Sequence, residues 1–313
     1  MAVFTPINEN EIHDIVTHHG LGELKSFAGI PQGVDNTNYK IETDSSRYIL
    51  TIFENRINQS DIPYFLGFMD YLSQNKMNCP KPITNQPVEH NLIHGKPYCL
   101  FSFLDGHDVK PEDIIPALCY ELGVMLGKMH LAGQKFPMTR ENSMSFDAWA
   151  YRLDKVERHH QGQASKFLTE LDNVRKKWPI HLPTGTVHLD LFPDNVFIKD
   201  GHIYAVIDFY FSATDFLAYD LAIVMNAWCF DDTIFNQDRW QHLLNGYESV
   251  RKLEPIEKDS YQTLCQGASL RFLSSRLHDF VFHDAKNLVT PKPPSEYISK
   301  LEFHQNVDLF TKS

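Results

Sequence analysis

Apolar positions recur with two different spacings along the 313-residue chain, and the change of spacing marks out its elements. Ile12, Ile15 and Val16 share one face of a helix over residues 8–19, with Asn8 as its cap and Gly20 and Gly22 as its stop. Leu24–Ile30, Asn38–Thr43 and Tyr48–Phe53 read as strands, the last two joined through Asp44-Ser45-Ser46. Helical spacing returns in Ser60–Asn75, where Ile62, Phe65, Leu66, Met69 and Leu72 form a stripe. The three prolines of Cys79–Pro87 make a rigid connector, followed by strands near Asn91–His94 and over Tyr98–Leu104, the latter stopped by Asp105-Gly106. From Glu112 to Leu131, Ile114, Ile115, Leu118, Leu122, Met125, Leu126 and Met129 predict a core helix. Residues 147–177 predict one or two amphipathic helices whose Arg152, Lys155, Arg158 and Arg175 form a solvated face. Val196–Ile198 and Ile203–Ile207 are two short strands around the turn Lys199-Asp200-Gly201. Helices follow from near Asp215, over 236–250, over 257–283, and after Pro291–Pro294. The order predicts an α+β chain of two lobes: residues 1–104 with a small antiparallel sheet, residues 105–313 mainly helical.

Composition narrows the partners more than the fold. With 42% hydrophobic and 22% charged residues the chain is globular, and a net charge of -11 argues against nucleic acid or an anionic membrane as a main partner. Cys79, Cys99, Cys119, Cys229 and Cys265 form no C-x-x-C pair and sit in apolar segments, the usage of buried, reduced thiols. The N-terminal Met-Ala-Val-Phe-Thr-Pro lacks a targeting pattern and no run of about 18 apolar residues occurs, so a cytoplasmic protein is expected.

The candidate chemistry is concentrated between His188 and Asp208. His-Leu-Asp-Leu-Phe-Pro-Asp-Asn, then a hairpin, then Ile-Asp-Phe, supplies hard oxygen groups from Asp190, Asn195 and Asp208. Phosphoryl transfer to a hydroxyl needs a carboxylate that orients the hydroxyl and accepts its proton, a role that fits Asp190. It also needs oxygen donors for Mg²⁺ on the nucleotide phosphates, which fits Asn195 and Asp208. Between the first two strands, Gly29 to Asn38 is rich in Gly and Asn, able to turn tightly and aim N–H groups at phosphates. Asp220 falls within an apolar helix, where a charge has to be satisfied by hydrogen bonds.

The His-x-Asp-x-x-x-x-Asn spacing followed by Ile-Asp-Phe resembles the catalytic core of kinases, and most closely the aminoglycoside phosphotransferase and choline kinase branch. Gly-Val-Asp-Asn-Thr-Asn-Tyr, Tyr-Ile-Leu-Thr-Ile-Phe-Glu, Ile-Asp-Phe-Tyr-Phe-Ser and Tyr-Asp-Leu-Ala-Ile with Asn-Ala-Trp-Cys-Phe extend the likeness to the bacterial homoserine kinase family over nearly the whole chain. The resemblance implies a two-lobed protein-kinase-like fold and transfer of the γ-phosphoryl of ATP, with Mg²⁺, to the hydroxyl of L-homoserine, a step toward threonine. It implies Asp190 as catalytic base, Asn195 and Asp208 as metal ligands, and His188 and Asp220 as supports of the catalytic loop. Nucleotide contacts are expected from Gly33, Asn36, Thr37 and Asn38 and from backbone groups of Ser102, Phe103 and Leu104. Thr51 stands where kinases carry a phosphate-pairing Lys, which leaves Arg47 and Arg56 as candidate cations. Tyr210, Trp228, Tyr247, Arg271 and Arg276 are candidates for the acceptor, the two arginines for its carboxylate. His130 is read as structural. The alternatives are a sister kinase for choline, an aminoglycoside or methylthioribose, and a nucleotide-binding regulator without catalysis. The partner is a small molecule, with a monomer or homodimer expected.

Overall fold

The computed structural model describes residues 4–31, 36–54, 57–83, 87–283 and 291–310. They form two compact units, the first from residues up to Gly106 together with Ala205–Tyr210, the second from His107–Tyr204 and Phe211 onward. The segment Ala205–Tyr210, which includes Asp208, thus groups with the N-terminal unit although the sequence reading places it in the C-terminal lobe.

In the first unit α1 (Glu9–His18) is followed by β1 (Leu24–Ile30), β2 (Thr37–Thr43), β3 (Arg47–Ile52), α2 (Ile62–Gln74), β4 (Pro82–Ile83), β5 (Leu92–Ile93) and β6 (Lys96–Ser102). The antiparallel sheet runs β1-β2-β3-β6-β4, with β5 also on β6. The α1 start is closed by a capping box in which the Asn8 side chain takes the Glu11 N–H and the Glu11 carboxylate takes the Asn8 N–H. Its buried stripe, Ile12, Ile15 and Val16, packs with Tyr39, Ile41, Leu50, Ile52, Tyr98 and Leu100 of the sheet. Alternation along the strands therefore gives this sheet one face against α1 and the N-terminal segment.

The second unit holds β7 (His107–Asp108), α3 (Pro116–Gly133), α4 (Phe146–His159), α5 (Ser165–Lys177), β8 (Thr184–Val187), β9 (Val196–Lys199), β10 (His202–Val206), whose last residues enter the first unit, and β11 (Ala213–Phe216). It continues through α6 (Leu217–Trp228), β12 (Phe230–Asp231), β13 (Ile234–Phe235), α7 (Gln237–Val250), α8 (Pro255–Val281) and α9 (Ser295–Asn306). The small sheet is ordered β10-β9-β7, and β8 pairs with β11. The β9–β10 turn takes positive φ at Asp200 and Gly201, as its Asp-Gly sequence demands. α6 is apolar on every side and buried along nearly its whole length, which makes it the centre of the unit.

Two expectations are corrected here. The third helix begins at Pro116, because a residue before proline is driven out of the helical region, and Ile115 is extended (φ -101, ψ 160) and exposed. Asp215 lies in β11 opposite Gly185, and the helix starts two residues later at Leu217. All five cysteines are free and buried. Among the described residues no helix is long and apolar enough to cross a membrane.

Candidate active site

The catalytic loop leaves β8 at Val187 and is held from three sides by the second unit. Asp220 of α6 is fully buried, and its carboxylate accepts from the backbone N–H of His188 at 3.1 Å, that of Leu189 at 2.7 Å and His130 Nε2 at 3.0 Å. Burial alone would raise its pKa. The His130 hydrogen bond, the neighbouring imidazoles and the Leu189 N–H outweigh burial and keep it below the ordinary aspartate value. A buried carboxylate is tolerable only when satisfied in this way, so the charge that brings it inside also fixes the loop. Leu189 adopts φ +64, a conformation a bulky residue avoids unless its surroundings impose it. The Leu189 carbonyl accepts from Arg271 Nη1 of α8, and the Leu191 carbonyl from Trp228 Nε1 at 2.9 Å.

This frame presents Asp190, half-buried, with its N–H on His188 Nδ1 at 3.2 Å. A single 3₁₀ turn brings Asn195 back, and its Nδ2 donates to the Asp190 carbonyl at 2.8 Å and, weakly, to Asp190 Oδ2 at 3.4 Å. With the NH₂ turned to Asp190, Oδ1 is the amide atom left to meet a cation. The brace continues away from the loop. His130 Nδ1 meets the Tyr247 hydroxyl at 2.8 Å, Arg251 donates to that hydroxyl at 3.1 Å, and Arg251 is paired with Glu257 at 2.9 Å. Because the Asp220 carboxylate only accepts, Nε2 carries the hydrogen that goes to it, and the Tyr247 hydroxyl, accepting from Arg251, can give its proton to Nδ1. The sequence reading reached His130 as structural; its extension to α7 and α8 has no local signature, since the partners lie 117 and more positions away.

In the first unit, Asp208 follows β10 with φ +62. The Val206 N–H bonds the Asn78 carbonyl at 3.1 Å, Phe209 packs edge-on against Phe68, and Tyr210 against Phe53 and Phe65. The Tyr210 hydroxyl is bonded to Thr51, whose Oγ1 donates to Asn38 Oδ1 at 2.7 Å. Thr51, in the position where a Lys is usual, is thus the middle of a neutral hydroxyl–amide chain. Thr37 is different: its Oγ1 accepts from the Phe4 and Thr5 N–H groups and donates to Glu54, which Lys96 pairs, so its side chain serves the N-terminal segment. Asn36 Oδ1 accepts from the Glu54 N–H at 3.3 Å. Gly33 and Arg56 lie outside the described residues. Arg47 sits at the far end of β3 from Thr51, paired with Asp105 at 2.7 Å and stacked on Phe103 at 4.4 Å, which removes it as a phosphate cation. At the connecting strand, the Ser102 N–H goes to Lys81 and the Phe103 N–H to Arg47, whereas the Leu104 N–H has no acceptor among the described residues.

Of the acceptor candidates, Tyr210 belongs to the first unit and the other four to the second, where Tyr247 is buried with its hydroxyl between His130 and Arg251. Trp228 is buried with its N–H spent on the loop. Arg271 is 3% exposed and packs over Phe272. Arg276 is paired with Glu296, not with a neighbouring aspartate, and lies over Tyr297. Arg152, read from the sequence as part of a solvated face, is half-buried. Among the described residues no group of three His, Cys, Asp or Glu side chains forms a metal cage. Asn195 in the second unit and Asp208 in the first each carry a hard oxygen group, the kind of donor Mg²⁺ takes.

Comparison with known proteins agrees with this chemistry. Residues 26–253 match the phosphotransferase enzyme family. The homoserine kinase of Parvibaculum lavamentivorans is 39% identical over 313 residues, covering 98% of this chain and 97% of its own. That of Brucella abortus is 39% identical over 317 residues, covering 98% and 96%. An amicoumacin kinase solved with AMP-PNP and Ca²⁺ shares the fold at a TM-score of 0.69 and 17% identity, covering 95% of each chain. Choline kinase from Cryptosporidium parvum does so at 0.68 and 14%, covering 95% and 94%. With most of its length inside one family and full-length relatives at this identity, the chain belongs to the phosphotransferase enzyme family, among its homoserine kinases.

Proposed function

We propose that the protein transfers the γ-phosphoryl of ATP to the hydroxyl of L-homoserine, giving O-phospho-L-homoserine and ADP, as a cytoplasmic monomer or homodimer. The observation that carries the acceptor is the 39% identity to homoserine kinases across 98% of the chain. The observation that supports the chemistry is the Asp220-braced loop bearing Asp190 and Asn195.

Asp190 orients the acceptor hydroxyl and takes its proton as the new P–O bond forms and the bond to the ADP oxygen breaks. Asn195 Oδ1 and the Asp208 carboxylate would hold Mg²⁺, which when bound neutralises charge on the phosphates. The Leu104 N–H is the connecting-strand donor available to adenine. Asn38 and Thr51 line the strand beside the phosphates with neutral groups, so transition-state charge falls to other donors than a strand Lys. His188 and Asp220 set the backbone of the loop and touch no reactant.

The test is ADP release with a panel of acceptors. Turnover with L-homoserine and none with choline, an aminoglycoside or methylthioribose is the expected outcome. ATP binding without turnover on any of them supports the regulator reading and overturns this one.

A further inference from the structure

Homoserine is a zwitterion, so its site has to offer a cation and an anion within a few ångströms of the catalytic loop. Arg276 is already ion-paired with Glu296, which also takes Lys300, and is the less available of the two arginines of α8. Arg271 reaches the loop itself, donating through Nη1 to the Leu189 carbonyl one residue before Asp190, and it makes no ion pair among the described residues. Arg152 is its counterpart on α4, a helix that packs on α8. Trp149, Leu153 and Val156 are the buried face of α4, and Arg152 follows Trp149 by three positions, which turns it toward that face.

Among the described residues, the Arg152 guanidinium hydrogen-bonds the Ala148 carbonyl at 3.3 Å and Met144 Sδ at 3.5 Å and nothing else. A half-buried guanidinium that ends on one carbonyl of its own helix and a thioether is far from satisfied. Burial lowers its pKa, Asp279 acts against that from beyond ion-pair range, and the Arg271 charge adds to the lowering. Asp279 is committed to His278 and mostly exposed. Two guanidiniums within each other's field, neither ion-paired among the described residues, make a place where a carboxylate binds well and water binds less well. Asp215 at β11 accepts from Asn142 Nδ2 and from the Phe216 N–H, both at 2.7 Å; burial raises its pKa, and the two hydrogen bonds and the Arg271 charge work against that rise in favour of the carboxylate.

We propose that Arg152 and Arg271 together bind the α-carboxylate of the acceptor and that Asp215 faces its ammonium, so that the amino-acid end is fixed and the hydroxyl is delivered to Asp190. The inference rests on the homoserine kinase reading and adds to it a specificity residue, Arg152 of α4.

Arg152→Gln, Arg152→Lys and, as a control on the exposed side of the same helix, Arg158→Gln are compared with the wild type. The acceptors are L-homoserine, aminopropanol (the same hydroxyl and ammonium without the carboxylate) and γ-hydroxybutanoate (without the ammonium). Arg152→Gln should raise KM for homoserine roughly 10- to 100-fold, the range of a lost charge-assisted hydrogen bond, while KM for ATP stays put. Arg152→Lys should recover part of the loss, and aminopropanol should be used equally by wild type and Arg152→Gln. A homoserine KM within twofold of wild type in Arg152→Gln, or an equal KM rise for aminopropanol, overturns the clamp. Absence of homoserine turnover in the wild type sinks the functional reading and the clamp with it, so the two failures are told apart by the wild-type arm.

Discussion

Asp190 and Asp208 are the same residue type with different proposed tasks, and substitution by Asn separates them. Asp190→Asn keeps size and hydrogen bonding but removes the proton acceptor, so kcat should fall roughly 100- to 10,000-fold with little change in ATP affinity. Asp208→Asn puts a neutral amide where a hard dication needs charge, so nucleotide binding should weaken and recover in part when Mg²⁺ is raised. Restoration of Asp190→Asn by metal would reverse the assignment. At this scale much was legible. Asp190, Asn195 and Asp208 are named by their spacing, and Asp220 by the rule that a charge in an apolar helix must be paired. The positive φ of Leu189 was not legible, because nothing about leucine signals a left-handed conformation; it is imposed by Asp220 and Arg271 from elsewhere in the chain. Arg152 was misread for the opposite reason: a charge on an amphipathic helix normally faces water, and the packing of α4 on α8 turns this one inward, as it does Lys155, which meets His278.

Helices and the first hairpins follow their apolar spacing closely, whereas elements defined by a partner do not. β8 and β11 are four residues each and carry no clear alternation; they exist because Thr184–Val187 finds Ala213–Phe216. The contact between α3 and α7 is equally hidden. A Cβ on Gly123 would stand 2.1 Å from the Leu243 carbonyl oxygen, and one on Gly246 2.0 Å from that of Tyr120, so the two backbones touch through reciprocal glycines. In sequence each reads as a helix-weakening residue; in the fold each is the only residue that fits. Gly246→Ala should therefore destabilise the protein by about 1–3 kcal/mol, the usual cost of overpacking, despite its better helix propensity. It should also lower kcat, since Tyr247 is the next residue and its hydroxyl bonds the His130 ring that faces Asp220. A thermal melt and kcat measured on the same preparation check both; an unchanged or raised Tm would mean that α7 can slide without cost.

For the molecule as a whole, the -11 net charge suggests that mild acid should relieve self-repulsion and stabilise the fold. One buried group argues the other way. His304 of α9 is fully buried, and its Nε2 meets Asn226 Oδ1 at 2.7 Å. Asn226 turns its Nδ2 to Ser269 and Cys265, which makes Oδ1 the acceptor of the Nε2 hydrogen, and among the described residues Nδ1 has no partner that would accept a second one. Burial, and after it the Lys300 charge, push its pKa from 6.5 down to about 3. The unfolded chain then binds a proton below pH 6.5 that the folded chain refuses, so stability drops as pH falls through that window, by about 1.4 kcal/mol per pH unit from this group. His19 adds in the same direction, chiefly through burial, and the exposed His202, raised by Glu121, opposes it. Asp220 and Glu296, both held below their ordinary values, lose their contribution only in stronger acid, below the carboxylate range. Between pH 6.5 and about 4.5, therefore, His304 acts against His202, against the buried Asp215, whose pKa burial raises, and against a diffuse surface charge that salt screens. All four tryptophans, Trp149, Trp178, Trp228 and Trp240, lie in the second unit with His304, so tryptophan fluorescence follows the unfolding of that unit alone. Urea titrations across this window should give a falling stability for the wild type and a flatter curve for His304→Gln, whose amide can still donate to Asn226. Parallel curves for the two proteins would mean that His304 is protonated in the folded state and that α9 admits a charge at its centre.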